Sequence, residues 1–273
     1  MTTPSSGSSQ LTPEPGDRDD AEVDEAFDRL VGEGRERLGR PLLPLLATGF
    51  LGGIDVGVGI LAYLVVKHET GDQLVAALAF TVGFVALLLA SSELFTENFL
   101  VPVTAVVARA GTVWQLLRLW AVTLVMNLVG GAVMVGLVVT GLPAVRPTVR
   151  ESGTHFADLG VSWESFALAV LAGAVITLLT RMQHSTDNLG VKIVPAILLS
   201  FVLVAGELFH AVLDTILMIG GLFAGQVDYS PADVLGALAW SAFGNVLGGL
   251  VLVTSVRLLR VPHRVAEEAG ENG

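Results

Sequence analysis

The sequence contains no cysteine, and only 15% of its residues are charged. Without cysteine the chain has no disulfide framework and no thiol chemistry. A soluble domain carries about 25% charged residues, whereas here 52% of the residues are hydrophobic and the mean hydropathy is +0.70. This composition excludes an ordinary soluble domain and predicts an integral membrane protein.

Basic residues are also scarce: 15 Lys and Arg stand against 26 Asp and Glu, a net charge of −11. No basic patch indicates a nucleic acid partner. We expect no secretory signal peptide, because residues 1–28 lack an apolar core. The sequence contains no metal-ligand set, no nucleophile–base pair and no phosphate loop, so it predicts neither an enzyme nor a bound metal or cofactor.

The chain divides into a tail, a membrane domain and a second tail. Residues 1–40 hold ten acids and five arginines, and we expect this acidic tail to be disordered at least over residues 1–25. Residues 26–40 either form a short amphipathic helix or continue the tail; the helix would bury four side chains, Phe27, Leu30, Val31 and Leu38. A channel domain of residues 41–260 follows, and residues 261–273 form a polar tail.

The membrane domain contains six apolar segments, each long enough to cross a bilayer, which requires about 20 residues. A loop, Gly141–Ser162, separates the first three segments from the last three. The segments are Pro41–Val66, Leu74–Val107, Trp114–Thr140, Trp163–Thr180, Val191–Ala224 and Ala232–Leu259.

The second segment carries polar residues at its centre, in the stretch SSELFTENFLVPV. Glu93, Thr96 and Glu97 lie close together there, and ionisable groups at membrane depth are unfavourable unless they face a protein interior or water. We therefore predict an interruption of the helix near Glu93–Thr96.

The fifth segment repeats this feature, because ELFH at Glu207–His210 echoes ELFT at Glu93–Thr96. An Asn-x-x-Gly-Gly sequence follows each tetrapeptide, beginning at Asn127 and Asn245. Corresponding interrupted segments in two halves indicate the central site of a transporter. With three spans per half, the second half enters from the opposite face, so the repeat is inverted.

The positions of the Lys and Arg residues predict the orientation. Of the fifteen, all but Lys67, Arg146 and Arg150 lie on the side of the chain termini. Cytoplasmic loops carry the excess of Lys and Arg. We therefore expect both termini in the cytoplasm and the protein in the cell (inner or plasma) membrane.

The broken ELFT segment, the two Asn-x-x-Gly-Gly sequences and a single histidine in a broken fifth span resemble the formate/nitrite transporter family. The resemblance covers roughly residues 40–260 and looks closest to a less characterised branch. It implies an all-α, aquaporin-like protomer of six spans, assembled as a homopentamer with one pore per protomer. It also implies small monovalent anions as substrates, among them formate, nitrite and other monocarboxylates.

By this resemblance the pore site contains His210, Thr96 and Asn245, and the repeat adds Asn127. Departures from the family pattern are an acid three residues before His210 instead of directly before it, Asp214 where the family often has asparagine, and no counterpart of its lysine on the fourth span. The added acid and the missing lysine both make the pore less favourable for anions.

Other residues near the breaks have structural or pore-lining interpretations. We expect the carboxylates of Glu93 and Glu207 to accept hydrogen bonds from backbone amides at the breaks. Thr96 serves either as a helix cap or as a pore contact. Apolar side chains could form constrictions above and below His210, or could be ordinary packing: Leu94, Phe80, Phe84, Phe201 and Leu203.

The sequence therefore predicts a channel or transporter for small monovalent anions or their acids, with or without a proton, in which the anion accepts a proton or hydrogen bond at His210 and Thr96. The alternative is an aquaporin-like pore for small neutral solutes or weak acids. A non-conducting scaffold and a membrane-embedded enzyme are further alternatives. The roles of Asp55, Glu97 and Asp214 stay open.

Overall fold

The structure is a computed structural model that describes residues 15–260 and 262–271 as helices and their connections. The first fourteen residues of the expected disordered tail lie outside the described residues. Helix α1 then runs Pro15–Gly39, so it begins eleven residues before the amphipathic helix that the sequence suggests. Phe27, Leu30 and Val31 are buried, and α1 packs against the short helix α4, Val101–Val107.

Among the described residues, five helices are apolar and long enough to cross a membrane, and shorter apolar helices lie between them. The protein is therefore a multi-pass membrane protein. The long helices are α2 Leu42–Thr70, α3 Gln73–Ala90, α5 Val113–Gly141, α7 Trp163–Gln183 and α10 Pro231–Leu247. Helix α10 continues without interruption into a π-helix, Gly248–Thr254, and then into α11, Ser255–Leu258. The shorter ones are α4, α8 Leu189–Ala205 and α9 Leu213–Ala224.

Polar residues at the ends of these helices determine where they begin. Capping boxes open α5 at Thr112, α7 at Ser162 and α10 at Ser230, and in each one a side-chain oxygen accepts a backbone N–H that has no partner inside the helix. Helix α2 ends at Gly71, whose φ of 67° is a left-handed conformation that glycine adopts without strain.

Glycines on one face of α2 pack closely against neighbouring backbone. A Cβ at Gly53 would collide with the carbonyl oxygen of Asn127 on α5, and one at Gly52 would collide with the carbonyl oxygen of Glu93. Helix α7 repeats the arrangement, because a Cβ at Gly173 would collide with the backbone of Asn245 on α10. Small residues therefore bring both asparagines within reach of the neighbouring backbone.

Two polar segments differ from the sequence-based expectation. The predicted loop Gly141–Ser162 contains a 3₁₀ turn, Pro143–Val145, and helix α6, Arg146–Asp158. Pro147 in the first turn suits a helix start, and Val149 and Phe156 are buried on the side that packs against α9. At the other end, α12 occupies Pro262–Glu271, where we expected a loose tail.

Candidate functional site

The first break follows α3. Helix α3 stops at Ala90, Ser91 adopts a left-handed φ of 53°, and a 3₁₀ turn begins at Phe95. The side chain of Asn127 holds the segment between them. Its Oδ1 accepts the Phe95 N–H at 2.9 Å, and its Nδ2 donates to the Glu93 carbonyl oxygen at 2.8 Å and to that of Gly49 at 2.7 Å. The bonds with Phe95 and Glu93 satisfy backbone groups that the break leaves without helical partners, and the bond with Gly49 connects Asn127 to α2.

The second break follows α8 and has the same construction. Glu207 adopts a left-handed φ of 47°, and α9 begins at Leu213. Asn245 Oδ1 accepts the Ala211 N–H at 2.9 Å, and its Nδ2 donates to the carbonyl oxygens of Phe209 at 2.9 Å and Ala169 at 2.8 Å. Each break is thus held by an asparagine side chain that bridges two other elements.

These contacts pair the breaks in a register different from that of the ELFT and ELFH echo. The asparagines pair Glu93 with Phe209, since each donates to that residue's carbonyl oxygen. The left-handed residues then pair Ser91 with Glu207. His210 consequently corresponds to Leu94, two residues away from the pairing with Thr96 that the sequence suggests.

His210 and Thr96 nevertheless meet, because the two breaks approach each other. His210 Nε2 lies 2.8 Å from Thr96 Oγ1, and both residues are almost completely buried. The Leu213 N–H donates to His210 Nδ1 at 3.1 Å, so Nδ1 carries no proton in this arrangement and Nε2–H donates to Thr96. Asp214 Oδ2 accepts the His210 backbone N–H at 2.6 Å, which fixes the histidine at the start of α9.

Two cavities lie next to the breaks that carry these residues. The first, which we call the α6-side cavity, has a volume of about 130 Å³ and is lined by residues of α2, α6 and the second break, including Lys67, His155 and Asp214. The second, the α1-side cavity, has a volume of about 410 Å³ and is lined by residues of α1 and the first break, including Arg37 and Glu97.

The five apolar residues considered as constrictions occupy different places. Phe80 and Leu203 line the α6-side cavity. Leu94 is fully buried inside the first break, and Phe84 is buried beside Phe80 with ring centroids 5.9 Å apart. Phe201 is only half-buried and packs on the outside of the core.

The carboxylates of Glu93 and Glu207 contact other side chains instead of the backbone amides that we expected them to meet. Glu93 Oε1 lies 2.8 Å from Arg40 Nη1, and Glu207 Oε1 lies 3.9 Å from His155 Nε2. The asparagines take over the backbone bonds, because an amide offers both a donor and an acceptor, whereas an ionised carboxylate only accepts.

The structure also supplies a cation that the sequence analysis did not consider for the pore. Lys67, near the end of α2, lines the α6-side cavity and donates to Gln73 Oε1 at 2.7 Å. It lies on a different helix from the family's fourth-span lysine, so a comparison of aligned positions does not find it.

Helix α1 closes part of the α1-side cavity with an ionic network. Glu33 Oε1 lies 2.5 Å from Arg37 Nη2, its Oε2 lies 3.0 Å from His184 Nε2, and Arg37 Nη1 donates to Asn98 Oδ1 at 3.2 Å. Burial raises the pKa of Glu33, but the hydrogen bond with His184 and the charge of Arg37 outweigh it and lower the pKa to about 2. The network connects α1 to α7 and to the first break.

Within the part of the chain that the structure describes, no group of three or more His, Cys, Asp or Glu residues could hold a metal ion. The arrangement joins an imidazole and a hydroxyl by a hydrogen bond within the protein interior. Both groups belong to the types that bind small polar solutes by hydrogen bonds.

Comparison with known proteins gives consistent matches. The family model described as formate/nitrite transporter matches residues 24–259. The inner membrane protein YfdC of Escherichia coli (strain K12) is 27% identical over 229 residues, which cover 80% of this chain and 72% of that protein. The probable formate transporter of Methanothermobacter thermautotrophicus is 26% identical over 239 residues, or 78% of this chain and 87% of that protein.

A solved structure, the pentameric formate channel with formate bound, matches with a TM-score of 0.67. The match covers 80% of this chain and 97% of that chain at 21% sequence identity. At this level of identity the likeness establishes the fold.

Proposed function

This chain belongs to the formate/nitrite transporter family, and we propose that it is a transmembrane pore for small monovalent anions or their acids, such as formate, nitrite or a similar monocarboxylate. The observation that carries the proposal is the 2.8 Å contact between His210 Nε2 and Thr96 Oγ1, which joins the two breaks. The names of the probable formate transporter and the pentameric formate channel support the class of solute.

The proposed pore has six spans in two inverted repeats. Helices α3 and α4 together form the interrupted second span, and α8 and α9 form the interrupted fifth. The equivalent bonds made by Asn127 and Asn245 support the repeat. The excess of Lys and Arg on the side of the termini supports a cytoplasmic position for both. In this orientation the α1-side cavity faces the cytoplasm and the α6-side cavity faces outward.

We further propose that the protein assembles as a homopentamer in the membrane with one pore per protomer. The solved formate channel, described as pentameric, supports this assembly. Large apolar side chains are exposed along α5, among them Leu117, Val125, Val133 and Leu137, and they fit burial against lipid or a second protomer.

In this pore the anion enters the α6-side cavity, where Lys67 offsets its charge. It loses water among apolar groups that include Phe80 and Leu203, which is unfavourable unless polar groups replace the water. Because Thr96 Oγ1 accepts the His210 Nε2–H, the threonine hydroxyl hydrogen is left to donate to the anion. The positive end of the α9 helix dipole lies next to His210 and adds to the stabilisation.

Substitutions at the contact test this mechanism by flux into proteoliposomes. Thr96→Val removes one hydroxyl at nearly constant size and should lower formate flux by about two- to twelvefold, since one hydrogen bond contributes roughly 0.5–1.5 kcal/mol. His210→Phe removes the donor, fills the space and should stop flux. His68→Asn, a histidine change outside the site, is the control. Normal flux through assembled His210→Phe would contradict the proposal.

The alternative is an aquaporin-like pore for small neutral solutes or weak acids. Three acids in the α6-side cavity favour it, because Glu151, Glu207 and Asp214 all line this cavity and oppose an approaching anion. Comparing formate with glycerol in the same proteoliposomes distinguishes the two. A non-conducting scaffold or an enzyme would move neither solute.

A further inference from the structure

The α6-side cavity contains a carboxyl group with one oxygen that the fold does not use. Asp214 lines this cavity and is fully buried. Its Oδ2 accepts the His210 N–H at 2.6 Å, whereas its Oδ1 has no hydrogen-bond partner among the described residues. A buried acceptor without a partner is unfavourable by about 1–3 kcal/mol, so an atom that binds Oδ1 from the cavity is favoured.

The basic groups of the cavity wall contact side chains other than Asp214. Lys67 of α2 donates to Gln73, and His155 of α6 faces Glu207 of the second break. None of the ion pairs formed by the described residues includes Asp214. The cavity wall carries two further titratable groups, Tyr63 of α2 and Glu151 of α6.

Helices α2, α5, α6 and α10 pack against α9. Of these, α2 and α6 bring the basic groups Lys67 and His155 to the cavity wall, whereas α5 and α10 turn the uncharged amides of Asn127 and Asn245 toward the breaks. Asp233, at the first turn of α10, is exposed and accepts the Ser230 N–H at 2.7 Å. The basic groups that share the cavity with Asp214 are therefore Lys67 and His155, and each already contacts another side chain.

We propose that Asp214 determines the form in which the solute crosses, by sharing one proton between its Oδ1 and an oxygen of a small monocarboxylate. The inference rests on the proposed function and deepens it. Two carboxyl groups in hydrogen-bond contact do not both ionise, because their like charges repel. A formate-like solute at Oδ1 therefore shares a proton with Asp214, either donating it as the acid or accepting it from Asp214.

The proton and charge balance follows directly. The proton enters from the outer solution with the solute or on Asp214, stays in the shared hydrogen bond while the solute is bound, and leaves with the solute. One anion and one proton cross together, with no net charge. The cavity volume of about 130 Å³ is sufficient for a small solute such as formate, since about 10–15 Å³ of such volume already holds one water.

The test measures whether transport responds to membrane potential. Proteoliposomes with the wild-type protein, equal pH on both sides and a potassium diffusion potential should accumulate labelled formate to the same level at either sign of the potential. An internal pH dye should report one proton taken up per formate. The variant Asp214→Asn keeps an oxygen that can accept the His210 N–H but offers the cavity an amide that does not release a proton.

In Asp214→Asn, formate should cross without the shared proton and therefore carry charge. Its final accumulation should then change about tenfold for each 59 mV of potential, as expected for one charge, and the proton-to-formate ratio should fall toward zero. The matched control is Glu151→Gln, which removes another acid of the cavity wall and should keep potential-independent accumulation. Where Asp214→Asn does not assemble, Asp214→Ser is measured in the same way.

The outcomes separate the two proposals. Potential-dependent accumulation by the wild-type protein, or potential-independent accumulation by the assembled Asp214 variants, would overturn the role of Asp214 while leaving a formate pore in place. Absence of any flux of formate or nitrite through the assembled wild-type protein would overturn the proposed function, and this inference with it.

Discussion

Replacing Asn127 with leucine, which has nearly the same size, should destabilise the protein by removing the bonds that hold the first break. The side chain is fully buried and bonds to Phe95, Glu93 and Gly49 at 2.9, 2.8 and 2.7 Å. Each bond contributes roughly 0.5–1.5 kcal/mol, so the three together contribute about 1.5–4.5 kcal/mol. Leaving the buried Phe95 N–H without a partner costs about 1–3 kcal/mol more.

The measurement is thermal unfolding of the purified protein in detergent, followed by formate flux per assembled protein. Asn127→Leu should unfold at a clearly lower temperature than the wild type. Asn245→Leu should match it, because it removes the same set of bonds from the second break. Flux should fall in both variants, since the breaks position Thr96 and His210.

The reference variant is Asn188→Leu, which removes an exposed N-cap that accepts the Val191 N–H at 3.2 Å. Loss of such a cap costs about 1 kcal/mol. Equal unfolding temperatures for Asn127→Leu and Asn188→Leu would refute the reasoning. Packing of the neighbouring helices, and not the amide bonds, would then hold the break.

Other predictions concern packing, pH and topology. Gly53→Ala should destabilise the folded protein by about 1–3 kcal/mol, because its Cβ would collide with backbone atoms of Asn127. Gly236→Ala, which has open space around it, should not destabilise it, and the unfolding temperatures of the two variants test this difference. The pKa of Glu33 is lowered from 4.5 to about 2, so the stability that its ionised carboxylate contributes is complete above pH 4.5 and is lost as the pH falls toward 2. Hydrogen exchange of α1 should therefore become faster over this pH range in the wild type, and this pH dependence should be absent in Glu33→Gln. A cysteine at Val161, 74% exposed, should react with an impermeant reagent in intact cells and one at Ser185 should not; the opposite pattern would reverse the topology.

The long apolar helices are predictable from the sequence because the bilayer requires about 20 apolar residues to cross it. Helix α6 does not meet this criterion, because it has 13 residues and most of them are polar. Its buried residues, Thr148, Val149, Ser152, Gly153 and Phe156, do recur at helical spacing, but three of them are polar or small, so the apolar pattern is weak. The sequence also does not specify that this face packs against α9. For α1 the apolar spacing does suggest a short amphipathic helix, but neither its start at Pro15 nor the packing of Leu30 against Leu100 and Val101 is specified by that spacing.

The sequence identifies the polar residues of the candidate site, but it does not show which other side chains they contact. Thr96, His210 and the two asparagines are polar residues in apolar segments, and that contrast is visible in the sequence. The partners of Glu93 and Glu207 are not, because Arg40 and His155 lie 53 and 52 residues away and meet them only in the folded chain. Lys67 likewise reaches the α6-side cavity only through the path of α2.

The register of the repeat shows why like residues are a poor guide to equivalent positions. The asparagine lies 34 residues after the carbonyl that it binds in the first break and 36 residues after it in the second. The two extra residues shift the ELFH sequence relative to the backbone, so the side chain at the position of Leu94 is His210. One break thus presents an apolar side chain where the other presents an imidazole. The contact of His210 with Thr96 is therefore not imposed by the repeat; it arises because the two halves differ at this position, where a strictly symmetric repeat would carry two leucines or two histidines.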